Sequence, residues 1–427
     1  MKTKVISKSY EEVMALPHRK HQKPIKPNIL FRTLMLVASL PDIIAVRHKA
    51  NRIGMEKLGK KEPAFFLMNH SCFLDLEILP TVLYPRPFNI VATTDAFIGK
   101  AWLMRQIGCI STNKFVSDMN LVRDMMHSAK KIKTSVVMYP EAGYTFDGRC
   151  MPMPDTLGKM VKMLGLPLCT IITHGAFSRD PLYNNLQKRK IRVTSDVKYV
   201  LSPEQIEKMS PEEIQKIIEK EFDFDNFSWQ KENKIAIKEN FRADGLHRIL
   251  YKCPACKAEG HMEGKGTAIT CHKCGKVYHM DEYGALNAKN GATEFSHIPD
   301  WYDWERECVR EEIERGEYSL ESRVDILMTL TDYKFYRIGE GVLRHGKNGF
   351  ILDGCDGKLH YEHKPLAAHS VNSDFFFYQI GDVISFGNND GLFYCFPKDE
   401  KVSVCKARFA HEEIYKIKKR EKELVTK

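Results

Sequence analysis

The sequence predicts an α/β domain with a layered sheet, followed by a small cysteine-held module and a β-rich C-terminal domain. Short apolar runs alternate with helical patterns up to about residue 200, which is typical of a layered α/β domain. Two Cys-x-x-Cys pairs follow. From about residue 335, apolar runs are separated by turn signals such as Lys347-Asn348-Gly349, a pattern that predicts antiparallel strands.

These patterns divide the chain of 427 residues into successive regions. The first is basic and contains a short apolar segment, and the second is the α/β domain. The third carries the cysteine pairs, the fourth is a charged helical connector, and the fifth is β-rich with a C-terminal helix. Their predicted bounds, in order, are 1–50, 51–245, 250–280, 281–334 and 335–427.

The α/β domain is predicted from short apolar runs that are each followed by a helical pattern. The predicted strands are 64–69, 89–93, 109–112, 135–139 and 168–173. The predicted helices between them are 71–83, 99–107, 119–133 and 155–164. Two further helices begin with capping signatures, in which Ser202 and Ser210 each precede a proline and, three positions on, Gln or Glu.

The N-terminal region concentrates the positive charge. Formal net charge is +10, and residues 1–50 carry ten Lys or Arg against three acidic residues. Such a segment attracts anionic lipid head groups, and by charge alone it attracts nucleic acid as well. The adjacent apolar run 29–40 cannot span a bilayer, which needs about 20 residues. It suits a helix at the membrane interface, with a buried core helix as the alternative. We therefore expect a peripheral contact with an anionic membrane surface and no nucleic acid partner.

Cysteine usage and the N-terminus predict the compartment. Nothing at the N-terminus resembles a signal peptide, because the basic region is too long and no small-residue cleavage site follows the apolar run. The twelve cysteines occur without a secretory context, which favours a reduced, cytoplasmic setting. The expected location is cytoplasmic, peripheral to the inner face of the membrane.

The sharpest chemical signal is the segment Asn69-His70-Ser71-Cys72-Phe73-Leu74-Asp75. We expect His70 in the loop after a strand and Asp75 in the first helical turn, where its carboxylate can reach back to one imidazole nitrogen. Such a pair fixes the tautomer, leaves the other nitrogen as a proton acceptor and stabilises the imidazolium that forms. The base can then deprotonate a hydroxyl that attacks a thioester carbon. For these two residues alone, a helix-capping pair is the alternative.

At this point the chain resembles the phospholipid and glycerol acyltransferase family, which includes 1-acyl-sn-glycerol-3-phosphate acyltransferases. His70 and Asp75 match the family's His-x4-Asp pair, preceded by Asn69. Three further blocks follow in the family's order, and the set covers roughly residues 30–200. They are Gly108-Cys109-Ile110-Ser111-Thr112-Asn113-Lys114, Tyr139-Pro140-Glu141-Ala142-Gly143-Tyr144 and Leu166-Pro167-Leu168-Cys169-Thr170-Ile171.

The resemblance implies a function in phospholipid biosynthesis. An acyl group would pass from acyl-CoA or acyl carrier protein to the hydroxyl of a lysophospholipid, with 1-acyl-glycerol-3-phosphate as the first expectation. His70 would be the general base and Asp75 its orienting carboxylate. The expected substrate-binding residues are Asn69, Lys114, Glu141, Gly143 and Arg149.

The chain departs from the family's pattern in two blocks. Lys114 stands where the family has an arginine that contributes to binding the acceptor's phosphate, and lysine cannot make a bidentate contact. Tyr144 stands in place of the arginine of the third block, and the two residues before it also differ. Arg149 and Arg105 could supply the lost positive charge. A non-catalytic, acyltransferase-like binding or regulatory protein is the alternative function.

The cysteine pairs predict a metal site. Cys253, Cys256, Cys271 and Cys274 supply four thiols, and a closed set of four thiolates is typical of structural zinc. We therefore expect a zinc ribbon that is inserted into or appended to the α/β domain. Iron in the same cage is the chemical rival, and a redox dithiol is the other alternative. The ribbon's role, as scaffold or as a site for a partner, stays open.

Overall fold

The computed structural model describes residues 4–17 and 19–425. Residues 1–3 and 18 of the predicted membrane-associating segment, and residues 426–427 of the predicted C-terminal domain, lie outside the described residues. The described chain begins with strand β1 (Val5–Ser7) and helix α1 (Tyr10–Met14). Strand β1 pairs in parallel with residues 335–337 of the C-terminal sheet. Main-chain pairing thus ties β1 to the C-terminal sheet, whereas the sequence analysis placed it in a separate segment, 1–50.

Helix α2 (Ile29–Ala45) follows in the same region. Asn28 is its N-cap, and its side chain accepts a hydrogen bond from the amide of Phe31 at 3.0 Å. Only Ser39 and Ile43 of this helix are buried, so the alternative of a buried core helix is wrong. Among the helices of residues 4–17 and 19–425, none combines the length and the hydropathy that a membrane-spanning segment requires.

The α/β domain is built on a seven-stranded mixed sheet. Its strands are β2 (Lys49–Ile53), β3 (Phe65–Met68), β4 (Phe88–Thr93), β5 (Cys109–Thr112), β6 (Ser135–Met138), β7 (Leu168–His174) and β8 (Thr194–Leu201). They lie in the order β2-β8-β7-β3-β6-β4-β5. Neighbouring strands run parallel except β7 and β8. The ends of β3, β6, β4 and β5 therefore meet at one edge, which we call the carboxyl edge, and ligands in open α/β folds bind at this edge.

Helices cover both faces of this sheet and fill its cores. They are α3 (Leu74–Leu83), α4 (Ala101–Gln106), α5 (Met119–Met126), α6 (Leu157–Leu164), α7 (Ala176–Arg179), α8 (Pro203–Lys208), α9 (Pro211–Glu221) and α10 (Asn226–Glu232). The five strands and the helices predicted here are confirmed within a few residues. The predicted helix 119–133 ends as an α-helix at Met126 and continues as a wider turn of helix. Strands β2 and β8 were not predicted, since β2 is exposed along its whole length and carries no apolar pattern.

The cysteine-bearing module is a four-stranded antiparallel sheet that we call the ribbon. Its strands are β9 (Met262–Lys265), β10 (Ala268–Cys271), β11 (Val277–Met280) and β12 (Leu286–Ala288), in the order β12-β11-β10-β9. Helix α11 (Ile298–Glu314) packs against it through the buried Trp301, whose ring meets that of Tyr278 at a centroid distance of 5.1 Å. The ribbon therefore shares one hydrophobic core with α11 and with the C-terminal part of the chain.

The C-terminal domain is an antiparallel sheet closed by a long helix. Its strands are β13 (Leu320–Thr329), β14 (Phe335–Gly346), β15 (Gly349–Gly354), β16 (Leu359–His363), β17 (Asn372–Phe377), β18 (Gly381–Gly387) and β19 (Leu392–Pro397), and its helix is α12 (Val404–Val425). The order is β16-β15-β14-β13-β19-β18-β17, so β13 is central. The sheet therefore includes a strand that begins at Leu320, before the predicted domain start at 335. Glu321 and Arg323 of β13 are exposed, and their charges interrupt the apolar pattern by which the strand would have been predicted. The other face of the strand is buried.

Candidate active site

His70 and Asp75 meet at the carboxyl edge, in the loop between β3 and α3. His70 Nδ1 lies 3.2 Å from Asp75 Oδ2. Within the described residues, His70 Nε2 has no protein partner, and the side chain is 20% exposed. The predicted contact is thus present, and the geometry assigns the proton between the two residues to Nδ1. An imidazole held in this way can accept a proton at Nε2.

The carboxylate of Asp75 is fully buried and heavily hydrogen bonded. Oδ2 accepts the amides of Ser71 at 2.6 Å and Cys72 at 3.0 Å, and Oδ1 accepts the hydroxyl of Thr173 at 3.2 Å. Asp75 also lies in the first turn of α3, where the helix dipole favours negative charge. These bonds stabilise an ionised carboxylate beside the imidazole and fix its position.

Two tyrosines of the third block enclose the His70 ring. Tyr139 stacks on it with centroids 4.0 Å apart, and Tyr144 meets it edge-on with centroids 4.5 Å apart. Tyr144 is the residue that replaces the family's arginine, so an aromatic ring lies beside His70 at a position where the family has a cation. The two rings therefore cover the base, whose side chain is 20% exposed.

Glu141 holds the His70 loop rather than facing a ligand. Its Oε1 accepts the amide of His70 and its Oε2 accepts the amide of Met151, both at 2.9 Å, and the residue is 1% exposed. The amide of Thr145 donates to the carbonyl of His70 at 2.9 Å, so the third block clamps the base from both sides. Burial raises the pKa of Glu141 to about 8. Both carboxylate oxygens of Glu141 are therefore bonded to backbone amides, and its predicted substrate-binding role stays a prediction.

Asn69 is also used inside the protein. Its side chain donates to the carbonyl of Thr173 at 3.1 Å and accepts the Thr173 amide at 2.8 Å. This exchange joins the end of β3 to β7. The predicted substrate-binding role of Asn69 stays a prediction, and its side-chain amide is bonded to Thr173. Its place directly before His70 fixes where the strand ends.

Gly143 lies in a turn whose backbone is unusual. The preceding residue, Ala142, has a φ of 54°, a left-handed conformation that favours glycine. A side chain on Gly143 would meet Met151 at 3.4 Å, which is ordinary contact. The third block therefore makes a tight turn beside His70, with no charged group at Gly143 to bind a substrate.

The predicted cations lie apart from His70. Arg149 is paired with Asp303 at 2.6 Å and Asp147 at 2.7 Å, on a cleft of about 820 Å³ next to α11. Its charge is thus paired within the protein, and its predicted substrate-binding role stays a prediction. Arg105 lines a different cavity, of about 220 Å³, beside the edge strand β5. Lys114 is at the carboxyl edge, but its Nζ donates to Asn372 Oδ1 of the C-terminal domain at 3.1 Å.

The four cysteines converge as predicted. All four sulfurs lie within 4.8 Å of one another. Cys253 Sγ is 3.8 Å from Cys274 Sγ, and Cys256 Sγ is 3.7 Å from Cys271 Sγ. A tetrahedral ion with metal–sulfur bonds of about 2.3 Å would separate its sulfurs by about 3.8 Å. The cage therefore fits a metal ion with four thiolate ligands, and its cysteines form no disulfide.

The α/β domain carries a His–Asp pair on the carboxyl edge of its sheet, between β3 and α3. The family model described as Acyltransferase matches residues 49–174. The match covers residues 49–174 only, and it supports an acyltransferase-type domain in this part of the chain.

Comparison with individual proteins adds one solved structure. The chain is similar to the 1-acyl-sn-glycerophosphate (LPA) acyltransferase PlsC from Thermotoga maritima, at 14% identity and a TM-score of 0.38. The similarity covers 45% of this chain and 76% of that chain. Among curated proteins, none matches.

Sequence reasoning missed several residues around the base. Tyr139 and Thr173 contact His70 and Asp75 directly, and each ends a predicted strand at the same edge. Their positions at strand ends were a usable signal, since such side chains converge in parallel sheets. Asn372 gave no signal, because it lies 258 positions from Lys114 along the chain.

Proposed function

We propose that this chain transfers an acyl group from a thioester, either acyl-CoA or acyl carrier protein, to the hydroxyl of a lysophospholipid in phospholipid biosynthesis. The observation that carries this proposal is the 3.2 Å contact between His70 Nδ1 and the buried Asp75. The family of residues 49–174 supports the reaction class.

In the proposed reaction, His70 Nε2 removes the proton from the acceptor hydroxyl. The oxygen attacks the thioester carbonyl carbon, and a tetrahedral intermediate forms. The C–S bond then breaks, and the imidazolium returns its proton to the leaving thiolate. Asp75 stabilises the imidazolium between these two steps and keeps Nε2 aimed at the reacting atoms. A positioned base of this kind contributes roughly 10²- to 10⁴-fold to the rate.

In this scheme the third block positions the base. Glu141 and Thr145 fix the backbone of His70 on both sides. Tyr139 and Tyr144 restrict the ring to one orientation and keep water from its faces. Exclusion of water matters here, because water would compete with the acceptor hydroxyl for the thioester.

An exposed apolar face supports a role at the membrane surface. Leu30, Leu34, Val37 and Ile44 share one side of α2, and Leu30 and Ile44 are each 69% exposed. Trp102 is 67% exposed and meets Phe31 of this helix edge-on at 5.8 Å. Exposed basic residues flank the helix at 23, 26, 47 and 49. Such a helix binds an anionic membrane surface through apolar burial and charge together.

The proposed location is the cytoplasmic face of the membrane. All twelve cysteines lie in the described residues and none forms a disulfide, which favours a reducing compartment. We also propose that the four-cysteine cage holds structural zinc. Chelation should unfold the ribbon, measured as loss of amide protection at 253–280, and a metal assay should give one zinc per chain. Retained protection after complete chelation would contradict the zinc assignment.

The function is tested by identifying the product. Purified protein is incubated with labelled acyl-CoA or acyl carrier protein and vesicles that contain lysophospholipids, and the lipids are identified by mass spectrometry. We expect a diacyl product from the wild type and none from His70→Ala. His360→Ala is the matched control, because His360 is exposed on the C-terminal sheet and paired with Asp353. Absence of product from the wild type with every donor would refute the proposal.

A further inference from the structure

The loop after the third block, residues 145–151, fixes the backbone of His70 at two points. The amide of Thr145 donates to the carbonyl of His70 at 2.9 Å. At the other end of the loop, the amide of Met151 donates to Glu141 at 2.9 Å, and the second oxygen of Glu141 accepts the amide of His70 at 2.9 Å. One carboxylate thus spans two amides, whose nitrogens are at most about 8 Å apart. The position of the base therefore depends on both ends of this loop.

The C-terminal domain contacts both ends of the same loop. The side chain of Phe146, the second residue of the loop, is 1% exposed. The guanidinium carbon of Arg408 lies 4.5 Å from the centroid of the Phe146 ring, and the centroid of the Phe375 ring lies 4.6 Å from it. At the other end, Arg408 Nη2 donates to the sulfur of Met151. One guanidinium of α12 therefore contacts a residue beside each of the bonds that fix the base.

Arg408 is itself fixed by partners within the C-terminal part of the chain. The residue is 3% exposed, and its Nε donates to Glu412 Oε1 at 3.0 Å. The carboxylate of Glu412 also accepts the hydroxyl of Ser370 and Nη1 of Arg306 on α11, both at 2.6 Å. An unpaired charge inside a protein is costly, so these partners keep the guanidinium in this position. It can therefore act as a rigid support for the loop.

The partners of Arg408 differ on its two sides. Glu412 is charged, whereas the ring of Phe146 and the sulfur of Met151 are neutral groups that attract a guanidinium weakly. The pair with Glu412 therefore supplies most of the stability, and the contacts with the loop mainly fix its position. A lysine in place of Arg408 keeps a positive charge opposite Glu412, but it lacks the planar fork that contacts several groups at once.

We propose that Arg408 is a positioning residue for acyl transfer, which acts on His70 through the loop 145–151. This inference rests on the proposed reaction at His70. Phe146 and Met151 transmit the support, since each lies next to a bond that fixes the backbone of the base. A displacement of about 1 Å at a reacting group can lower a rate about 10²-fold, so a small shift of the loop is enough. Catalysis then depends on α12, which lies outside the residues 49–174 that match the acyltransferase model.

The test is a double-mutant cycle in the full-length protein. Labelled acyl-CoA or acyl carrier protein is the donor, and vesicles that contain lysophospholipids supply the acceptor. Arg408→Lys keeps the charge and removes the contacts with the loop, whereas Met151→Leu keeps the volume and removes the sulfur. In Arg408→Lys we expect kcat to fall roughly tenfold or more with KM unchanged, because the geometry of the base is altered and substrate binding is not.

Met151→Leu should lower kcat in the same way, and the double variant should be no slower than Arg408→Lys, since both changes act through one contact. The matched controls are Arg344→Lys on β14 and Met163→Leu on α6, at exposed side chains, and both should keep the wild-type kcat. Wild-type kcat in Arg408→Lys would overturn the inference. So would losses that multiply in the double variant, or a loss of kcat that only follows a lower melting temperature, because both indicate a structural role.

Hydrogen exchange separates this inference from the proposed function, because it needs no turnover. In Arg408→Lys, the amides of His70 and Met151, which both donate to Glu141, should exchange about tenfold faster or more, while the amides of β13 keep their wild-type rates. This result, together with no acyl transfer by the wild type, would refute the proposed function and keep the support of His70 by Arg408. Unchanged exchange at both amides would refute that support.

Discussion

Two regions of this molecule enclose histidines in opposite ways. In the α/β domain, His70 is partly exposed and pairs with the carboxylate of Asp75 at 3.2 Å. In the C-terminal domain, His345, His363 and His411 are at most 4% exposed. Each of these three has a buried ring nitrogen without a hydrogen-bond partner among the described residues. Their rings form one group, with the His411 centroid 5.6 Å from that of His363 and 5.8 Å from that of His345.

The difference shows what turns a histidine into a base. Burial lowers the pKa of His363 and of His411 to about 4, and it lowers that of His345 well below its ordinary value. At His411 the carbonyl of Ala368 and the carboxylate of Glu412 oppose the shift without cancelling it. These rings stay neutral and act as packing groups. His70 has what they lack, namely an acid on one nitrogen and an opening at the other. The partner and the opening, rather than the imidazole itself, define the candidate site.

The largest expected effect comes from removing the partner of His70. Asp75→Asn keeps the volume but weakens the bond to Nδ1 and removes the charge that stabilises the imidazolium. We expect kcat to fall by roughly 10²- to 10⁴-fold, the contribution of a positioned general base. Initial rates of acyl transfer measure it. Thr173→Ser, which keeps the hydroxyl bonded to Asp75, is the matched control, and wild-type activity in Asp75→Asn would end the comparison with the buried histidines.

A smaller effect is expected from acidification of the C-terminal core. The pKa of His363 and of His411 is about 4 when folded and about 6.5 when unfolded, so the unfolded chain binds more protons between these values. Stability is therefore complete above pH 6.5 and falls as the pH drops towards 4, by roughly 3 kcal/mol per histidine. Hydrogen exchange at residues 340–415 measures this fall.

The substitution His363→Gln sharpens the same prediction. It removes one titrating ring and should flatten part of the pH dependence between 6.5 and 4. His360→Gln is the control, because His360 lies on the same strand but is exposed. Exchange rates that respond equally to pH in both variants would show that the buried rings do not carry the effect.

The smallest expected effect concerns the exposed apolar side of α2, which we propose as the membrane contact. Leu34→Asp on the exposed side of α2 should weaken binding to anionic vesicles about tenfold, because it replaces apolar burial by a charge that the lipid repels. Sedimentation with vesicles measures the affinity. Leu366→Asp, at an exposed leucine of the C-terminal domain, should leave it unchanged. Equal losses in both variants would remove α2 as the membrane contact.

Much of this architecture was predictable from local sequence patterns. The His70–Asp75 pair spans a single strand–helix connection, so short-range geometry was enough to predict the contact. The cysteine cage was equally readable, because each pair lies within one turn. The β-rich domain was recognised by its turns, whereas β13 was missed because charges on its outer face interrupt the apolar pattern.

Roles that depend on distant partners were not predictable. Glu141 was predicted to bind substrate, but the sequence does not reveal that both its oxygens bind backbone amides. Arg149 was expected at the substrate, yet Asp303 on α11 neutralises it. The pairing of Lys114 with Asn372 joins two domains, and no spacing within either one encodes it. Such contacts arise from tertiary packing, which overrides local pattern.

The most direct measurement is chemical rescue of the missing base. His70→Gly should leave a gap between Tyr139 and Tyr144 that fits a free imidazole, since the native ring lies 4.0 Å and 4.5 Å from theirs. We predict that His70→Gly is inactive alone and regains acyl transfer in proportion to added imidazole, whereas His70→Gly with Asp75→Asn regains much less. Full activity of His70→Gly without imidazole would contradict the account.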